Sequence, residues 1–288
     1  MQAQRGKNKN TDRRYTLIAV DLDGTLVDER LQIKNKDLDY ISKVRQLNVK
    51  VTFATGRTFR SALPYIQKLG IEEPVILCNG ASIIEPRSRR VLFQESVSQE
   101  ITRLALSKSS EYGLDPLIYI DPLDGLPCVS ALTEVIKDFI LLEGFHSAQI
   151  DKLENLIQQN PPLKVQVVGD RQPLGRLKQA LLETFPTVPI VMTQDNYLEI
   201  MPVGVSKGEA LRRLCTIEGI PLNQTVAFGD ALNDLELLDL AGLGIAMKHA
   251  PEALRDVADE ISPDVASALK KIFFSNNHSR GSCSRSNF

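Results

Sequence analysis

The chain has 288 residues, 43% hydrophobic and 24% charged, with a formal net charge of −2. That is the composition of an ordinary soluble globular protein of about two domains, and it gives no electrostatic case for nucleic acid or an anionic membrane. No apolar run approaches the roughly 20 residues of a membrane span.

The first segment, "MQAQRGKNKNTDRRY", is polar and basic with no apolar stretch behind it. It does not read as a secretory signal, and residues 1–14 are expected as a disordered tail. "YTLIAV" then reads as a buried strand, and Leu38, Ile41, Val44, Arg45 and Leu47 mark a mostly apolar helical face. "VKVTFAT" is β-branched and strand-like. Phe59, Ala62, Leu63, Ile66 and Leu69 form a second helical face that ends at Gly70, and "PVILCNG" is a third buried strand. Strand–helix alternation of this kind predicts a parallel sheet with right-handed crossovers.

From about residue 84 to 195 the strict alternation is lost. The strands "RVLFQESV", "PLIYID", "LKVQVVG" and "VPIVMTQ" are separated by helices such as "ITRLALSKSSEYG" and "LGRLKQALLETF". This predicts an inserted α+β domain. Alternation returns with the helix "SKGEALRRLCTIEG", the strand "TVAFGD", the helix "NDLELLDLAG" and the strand "LGIAM", followed by "APEALRDVA", "DEIS" and "PDVASALKKIFF". The expected fold is an α/β protein with a Rossmann-like three-layer α/β/α core, residues 15–83 and 196–274, interrupted by a cap at 84–195. The tail at 275–288 is expected to be disordered. Cys78, Cys128, Cys215 and Cys283 form no CxxC pair, which fits a reducing cytoplasm.

Ligands of open parallel sheets sit beyond the carboxyl ends of the strands. Here those ends carry Asp21 and Asp23, then Thr55, Gly56 and Arg57, then Asn79, then Asp230 with Asn233 and Asp234 just after it. Lys207 opens the helix that follows the insertion. Asp21 and Asp23 leave a strand two residues apart and point to one side. In such a pair one carboxylate can attack phosphorus, and the other can protonate the departing oxygen and then deprotonate water. A hard divalent cation would relieve the repulsion between the carboxylates and a phosphate, and Asp230 and Asp234 offer further oxygen ligands. Lys207 adds positive charge, and Thr55 with the N–H groups near Gly56 can hold phosphate oxygens.

"DLDGTL", "TGR", the lysine of "GVSKGEAL" and "FGDALNDLELL" resemble, in this order, the four motifs of the haloacid dehalogenase-like hydrolase superfamily. "NGASI", "LEIMPVGVSKGEAL" and "GIAMKHAPEALRDVAD" resemble its Cof-type branch, subclass IIB, in which a large cap of the C2B type is inserted between the second and third motifs. The resemblance spans about Thr16 to Phe274. It implies that Asp21 is the nucleophile and a metal ligand, and that Asp23 is the general acid/base and gives its backbone carbonyl to Mg²⁺. It further implies that Asp230 binds Mg²⁺ directly and that Asp234 supports it. Thr55, Gly56, Lys207 and Asn233 would then serve the phosphoryl group, with Arg57 and Asn79 at the border of the substrate. An aspartate at position 23 fits phosphatases and phosphomutases and sets the chain apart from the dehalogenases.

Each motif alone has a plainer reading. A lone "DLDG" is a turn, Asp230 and Asp234 could cap a helix, and Lys207 could be a solvated helix lysine. "DPLDGLP" reads as a turn, "EPRSRR" as a solvated hairpin, and His146, His249 and His278 match no motif. The four motifs in order favour a cytoplasmic, Mg²⁺-dependent phosphatase acting on a small phosphorylated metabolite, as monomer or homodimer. A phosphomutase, a single-substrate sugar-phosphate phosphatase and a non-catalytic phosphometabolite sensor are the rival readings.

Overall fold

The computed structural model describes residues 15–142, 149–150, 152–193 and 196–275. The N-terminal tail, nearly all of the C-terminal one, His146 and His278 lie outside the described residues. From Tyr15 the chain builds β1 (Leu17–Val20), α1 (Asn35–Gln46), β2 (Lys50–Phe53), α2 (Phe59–Leu69) and β3 (Val75–Leu77), then the antiparallel pair β4 (Ser82–Glu85) and β5 (Arg90–Gln94). The next segment contains α3 (Gln99–Tyr112), β6 (Asp115–Tyr119), β7 (Pro127–Val129), α4 (Glu134–Leu142) and β8 (Gln149–Ile150). It continues through α5 (Leu153–Gln159), β9 (Lys164–Val168), α6 (Arg171–Thr184), β10 (Ile190–Thr193) and β11 (Tyr197–Ile200). The last stretch contributes α7 (Lys207–Glu218), β12 (Thr225–Gly229), α8 (Leu235–Leu240), β13 (Leu243–Met247), α9 (Glu252–Val257), β14 (Glu260–Ser262) and α10 (Val265–Phe274).

The two ends of the chain share one parallel sheet in the order β14-β13-β12-β1-β2. β1 is central, with Leu17–Val20 in register with Thr225–Phe228 on one side and Lys50–Phe53 on the other. All four of its residues are buried, as a strand covered on both faces requires. Leu17 and Ala19 pack towards Leu211 and Leu214 of α7 and Leu237 and Leu238 of α8. Ile18 and Val20 pack towards Ile41 and Val44 of α1, Ile66 of α2, and Val265 and Leu269 of α10. The core is thus a three-layer α/β/α sandwich. β3 extends the sheet through a parallel bridge between Ala54 and Ile76.

The cap is a second sheet, in the order β10-β11-β9-β6-β7-β8. One face presents Ile118, Val165, Val167, Leu198 and Ile200 to α3, α5 and α6. On the other, Leu117, Tyr119, Val168 and Tyr197 meet Ile136, Phe139 and Ile140 of α4. That second face also carries Lys164, Gln166 and Glu199, which are buried although polar.

The sheets divide the chain differently from the expected boundaries of 84 and 195. β5 falls within the stretch read as cap and β4 straddles its first boundary, yet both belong to a three-stranded sheet in the order β3-β4-β5. β11 falls within the stretch read as core, yet it pairs with β9 and β10. Strand pairing is a long-range choice, and a local apolar pattern identifies a strand without naming its partner.

The first and last parts of the core are tied by α1 and α10. The carboxylate of Asp37 accepts the Ala266 N–H at 2.7 Å, and Asp264 caps α10 by accepting the Ser267 N–H at 2.8 Å. Both contacts satisfy donors that a helix start leaves open. Asp37→Ala should lower the unfolding free energy by about 1–2 kcal/mol, read by urea titration. An unchanged midpoint would show that the contact carries no stability.

Candidate active site

The parallel sheet delivers Asp21, Thr55 to Arg57, Asn79 and Asp230 to a single edge, because each follows the carboxyl end of a strand. Asp21 continues the β1 register, its N–H donating to the Phe228 carbonyl at 3.1 Å. The chain then turns sharply, with the Leu26 and Val27 N–H groups both donating to the Leu22 carbonyl. Gly24 makes this turn possible. Its φ is +80°, and a Cβ there would stand 2.2 Å from Oδ2 of Asp230. The next residue, Thr25, donates its hydroxyl to Oδ1 of Asp230 at 2.7 Å.

Lys207 is the first residue of α7, directly after the N-cap Ser206, and its side chain is 1% exposed. Its Nζ donates to Oδ1 of Asp21 and to Oδ1 of Asp234, both at 2.7 Å. The remaining oxygen of Asp234 accepts the N–H groups of Asp230 and Ala231, both at 3.0 Å. Asp234 is therefore committed to holding Lys207 and the turn that carries Asp230. Oδ2 of Asp21 accepts no hydrogen bond among the described residues.

Asp21, Asp230 and Asp234 each offer a carboxylate oxygen within 4.8 Å of the others. Burial pushes the Asp21 carboxyl well above the usual carboxylate range; Lys207 pulls it back, and the charges of Asp234 and Asp230 raise it again. Burial also raises Asp230, against the opposing hydrogen bond from Thr25. Burial works against the Lys207 ammonium, yet Asp21 and Asp234 outweigh it and hold its pKa above the ordinary lysine value. Three carboxylates with one ammonium leave the cluster short of positive charge. Oxygen donors with that shortfall suit a hard divalent cation.

Thr55, fully buried, accepts the Arg57 N–H on its hydroxyl at 3.1 Å. Arg57 meets Asp23 with two hydrogen bonds, from Nε at 2.9 Å and Nη2 at 2.6 Å. Asn79 lies in an unusual turn in which Cys78, Asn79 and Gly80 all have positive φ, of 49°, 52° and 102°. Two consecutive non-glycine residues in this region are strained, and such strain persists only where surroundings impose it. Here the Cys78 N–H donates to the Arg57 carbonyl and the Asn79 N–H to the Thr55 carbonyl, both at 2.9 Å. The Asn79 side chain accepts from Nδ2 of Asn233 at 2.9 Å and donates to Oε2 of Glu199 at 2.7 Å.

Glu199 and its partner Lys164 come from the cap and had no expected role. Nζ of Lys164 lies 2.6 Å from Oε1 of Glu199 and 3.3 Å from the Gly56 carbonyl. The pair is buried, so removing either partner would strand the other charge. Next to it, the cap turn "DPLDGLP" reaches α2: Asp124 pairs with Arg60, and Gly125 lies against Thr58. The available sequence signal was a charged residue set among apolar ones in "LKVQVV" and "YLEI". His249 lies on the rim, with Nε2 at 3.5 Å from Oδ2 of Asp230.

A family model described as haloacid dehalogenase-like hydrolase matches residues 18–268. Among curated proteins, an HMP-PP phosphatase of Serratia proteamaculans is 27% identical over 86% of this chain and 89% of its own length. A 5-amino-6-(5-phospho-D-ribitylamino)uracil phosphatase of Bacillus subtilis is 26% identical over 89% of this chain and 97% of its own. Among solved structures, a haloacid dehalogenase-like hydrolase from Bacteroides thetaiotaomicron has a TM-score of 0.80 at 24% identity, covering 90% of this chain and 100% of that one. A Thermotoga maritima protein has a TM-score of 0.78 at 28% identity, covering 89% and 97%.

The electrostatics carry a sign that stability can read. The folded pKa of Asp21 lies above its unfolded value, so ionising it opposes folding. Its favourable contribution is complete below the unfolded value of about 4 and is lost as pH rises through the folded one. In chelator-treated protein, Asp21→Asn should therefore resist urea better than wild type at about pH 8, with the gap closing at about pH 4. A less stable Asp21→Asn at the higher pH would contradict the charge imbalance.

Proposed function

Because the chain belongs to the haloacid dehalogenase-like hydrolases, we propose that it is a Mg²⁺-dependent phosphatase that hydrolyses small phosphate monoesters through an aspartyl-phosphate. The observation that carries this reading is Asp21, whose buried carboxylate is fixed by Lys207 through one oxygen while the other accepts no donor among the described residues. A carboxylate held in this way is aimed as a nucleophile.

In the first half-reaction Oδ2 of Asp21 forms a bond to phosphorus as the ester P–O bond breaks. The bonding pair stays on the leaving oxygen, which takes a proton from Asp23. In the second, water attacks phosphorus and gives its proton to Asp23; the P–O bond to Asp21 breaks, its electrons return to the carboxylate, and phosphate leaves. Lys207 offsets the charge of Asp21 and of the phosphoryl group throughout. The Thr55 hydroxyl and the Gly56 N–H hold phosphoryl oxygens, and Asn233 stands next to them. Asp21, Asp230 and the Asp23 backbone carbonyl would hold Mg²⁺ directly, with Asp234 supporting from behind. When bound, the ion supplies the positive charge that the cluster lacks and polarises the phosphoryl group.

The two curated relatives are named as phosphatases, one of HMP-PP and one of 5-amino-6-(5-phospho-D-ribitylamino)uracil, and the cap of this chain seats against the same edge of the core. A small phosphorylated metabolite enclosed between cap and core, away from bulk water, is the substrate that fits. Cys78 and Cys215 are buried, and burial pushes their thiols up to about 11. Unreactive thiols of this kind suit a reducing compartment such as the cytoplasm.

Phosphate release from a panel of phosphorylated sugars, nucleotides and cofactors, with and without Mg²⁺, tests the reading. Wild type should release phosphate only with Mg²⁺, Asp21→Asn should release none, and Asp23→Asn should lose about 10²–10⁴-fold. Release by Asp21→Asn at the wild-type rate, or full activity in Asp23→Asn, would overturn the assigned roles.

A further inference from the structure

We propose that Arg57 is a positioning residue that acts on the reaction through Asp23, rather than a group that binds phosphate or substrate. The inference rests on the phosphatase reading and adds a part to it. The Asp23 side chain is 53% exposed on the loop after β1, whereas that of Arg57 is 12% exposed. Left alone, a carboxylate on such a loop samples several rotamers, and a proton donor must stand within hydrogen-bond reach of one leaving oxygen.

Arg57 removes that freedom from outside the loop. Its Nε and Nη2 take one oxygen each of Asp23, at 2.9 and 2.6 Å. This fork fixes the carboxylate plane and leaves each oxygen a lone-pair direction for the substrate. The guanidinium is itself anchored. Nη1 reaches the Ser61 carbonyl at 3.4 Å, and the carbon between the nitrogens stands 5.1 Å from the centre of the Tyr65 ring, both on α2. The main chain of Arg57 is held by the Thr55 hydroxyl and the Cys78 N–H. The anchor is therefore the rigid core, and the group it holds is the exposed one. A pair this exposed on one side adds little to stability, so its effect is geometric.

The consequence depends on the leaving group. An alkoxide is too basic to depart without a proton, so cleavage of an alkyl phosphate needs a well-placed Asp23. A p-nitrophenolate departs readily unprotonated, so forming the aspartyl-phosphate from p-nitrophenyl phosphate needs Asp23 far less. The quantity kcat/KM reports the steps through that first half-reaction.

The experiment compares wild type, Arg57→Ala and Arg57→Lys on p-nitrophenyl phosphate and on ribose 5-phosphate, or another alkyl phosphate that wild type hydrolyses. Arg57→Ala should lose about 10–100-fold in kcat/KM on the alkyl phosphate, and a loss at least about ten times smaller on the aryl phosphate. Arg57→Lys keeps the charge without the fork and should show the same selective loss. In an Asp23→Asn background the effect of Arg57→Ala should disappear. Equal losses on both substrates would make Arg57 a phosphate contact, no loss on either would make the pair incidental, and full activity in Arg57→Lys would make charge and not geometry the cause; each overturns the proposal. If Arg57→Ala melts before assay, Arg57→Lys decides alone. A folded wild type that hydrolyses neither ester would overturn the phosphatase reading, and this assignment with it.

Discussion

Everything at the site depends on one ammonium between two buried carboxylates. Lys207 stands at the first position of α7, where the helix dipole disfavours a cation, and its side chain is shut away from water. Local preference and burial both oppose it, and the two carboxylates it meets, Asp21 and Asp234, more than offset them. The dependence is mutual, since neither carboxylate could be buried there without a cation. The sheet order makes the meeting possible. β1 lies beside β12, so the residue leaving β1 and the turn leaving β12 emerge side by side, although more than 200 residues separate them in sequence.

A second buried ion pair seats the cap. Lys164 and Glu199 lie on the face of the cap sheet that α4 only partly covers, and they contact the Gly56 carbonyl and the Asn79 amide. The Asn79 side chain thus joins cap to core, with Glu199 at one end and Asn233 at the other. The left-handed turn at Cys78 and Asn79 is strained, and the hydrogen bonds that their N–H groups donate to the Arg57 and Thr55 carbonyls, with the cap contact, are what impose it. Separating the cap from the core therefore removes a constraint on the loops beside the carboxylate cluster.

Much of this was legible in the sequence. Continuous apolar runs ending in aspartate, threonine–glycine or asparagine–glycine announced the parallel sheet and the residues at its edge, because a buried strand has to be apolar and a ligand site has to lie at its end. The strand partners were not legible. The expected boundary cut through β4, placed β5 in the cap and placed β11 in the core, since nothing in "SIIE", "RVLFQ" or "YLEI" specifies a neighbour far along the chain. Nor were Lys164 and Glu199. A charge in a strand is ordinarily solvated, and only the packing of cap on core shows that these two are buried and paired. Arg57 was read as bordering the substrate. Its fork onto Asp23 depends on where two separate loops come to rest.

The most direct test of the account is to catch the phosphoryl group on the protein. Wild type is mixed with Mg²⁺ and a hydrolysable phosphate monoester, quenched in acid within milliseconds, digested, and mapped by mass spectrometry across "YTLIAVDLDGTLVDER". One phosphoryl group is expected on Asp21, formed and lost at rates consistent with turnover and absent from Asp21→Asn. Turnover with no phosphorylated intermediate, or with the phosphoryl group on another residue, would contradict it.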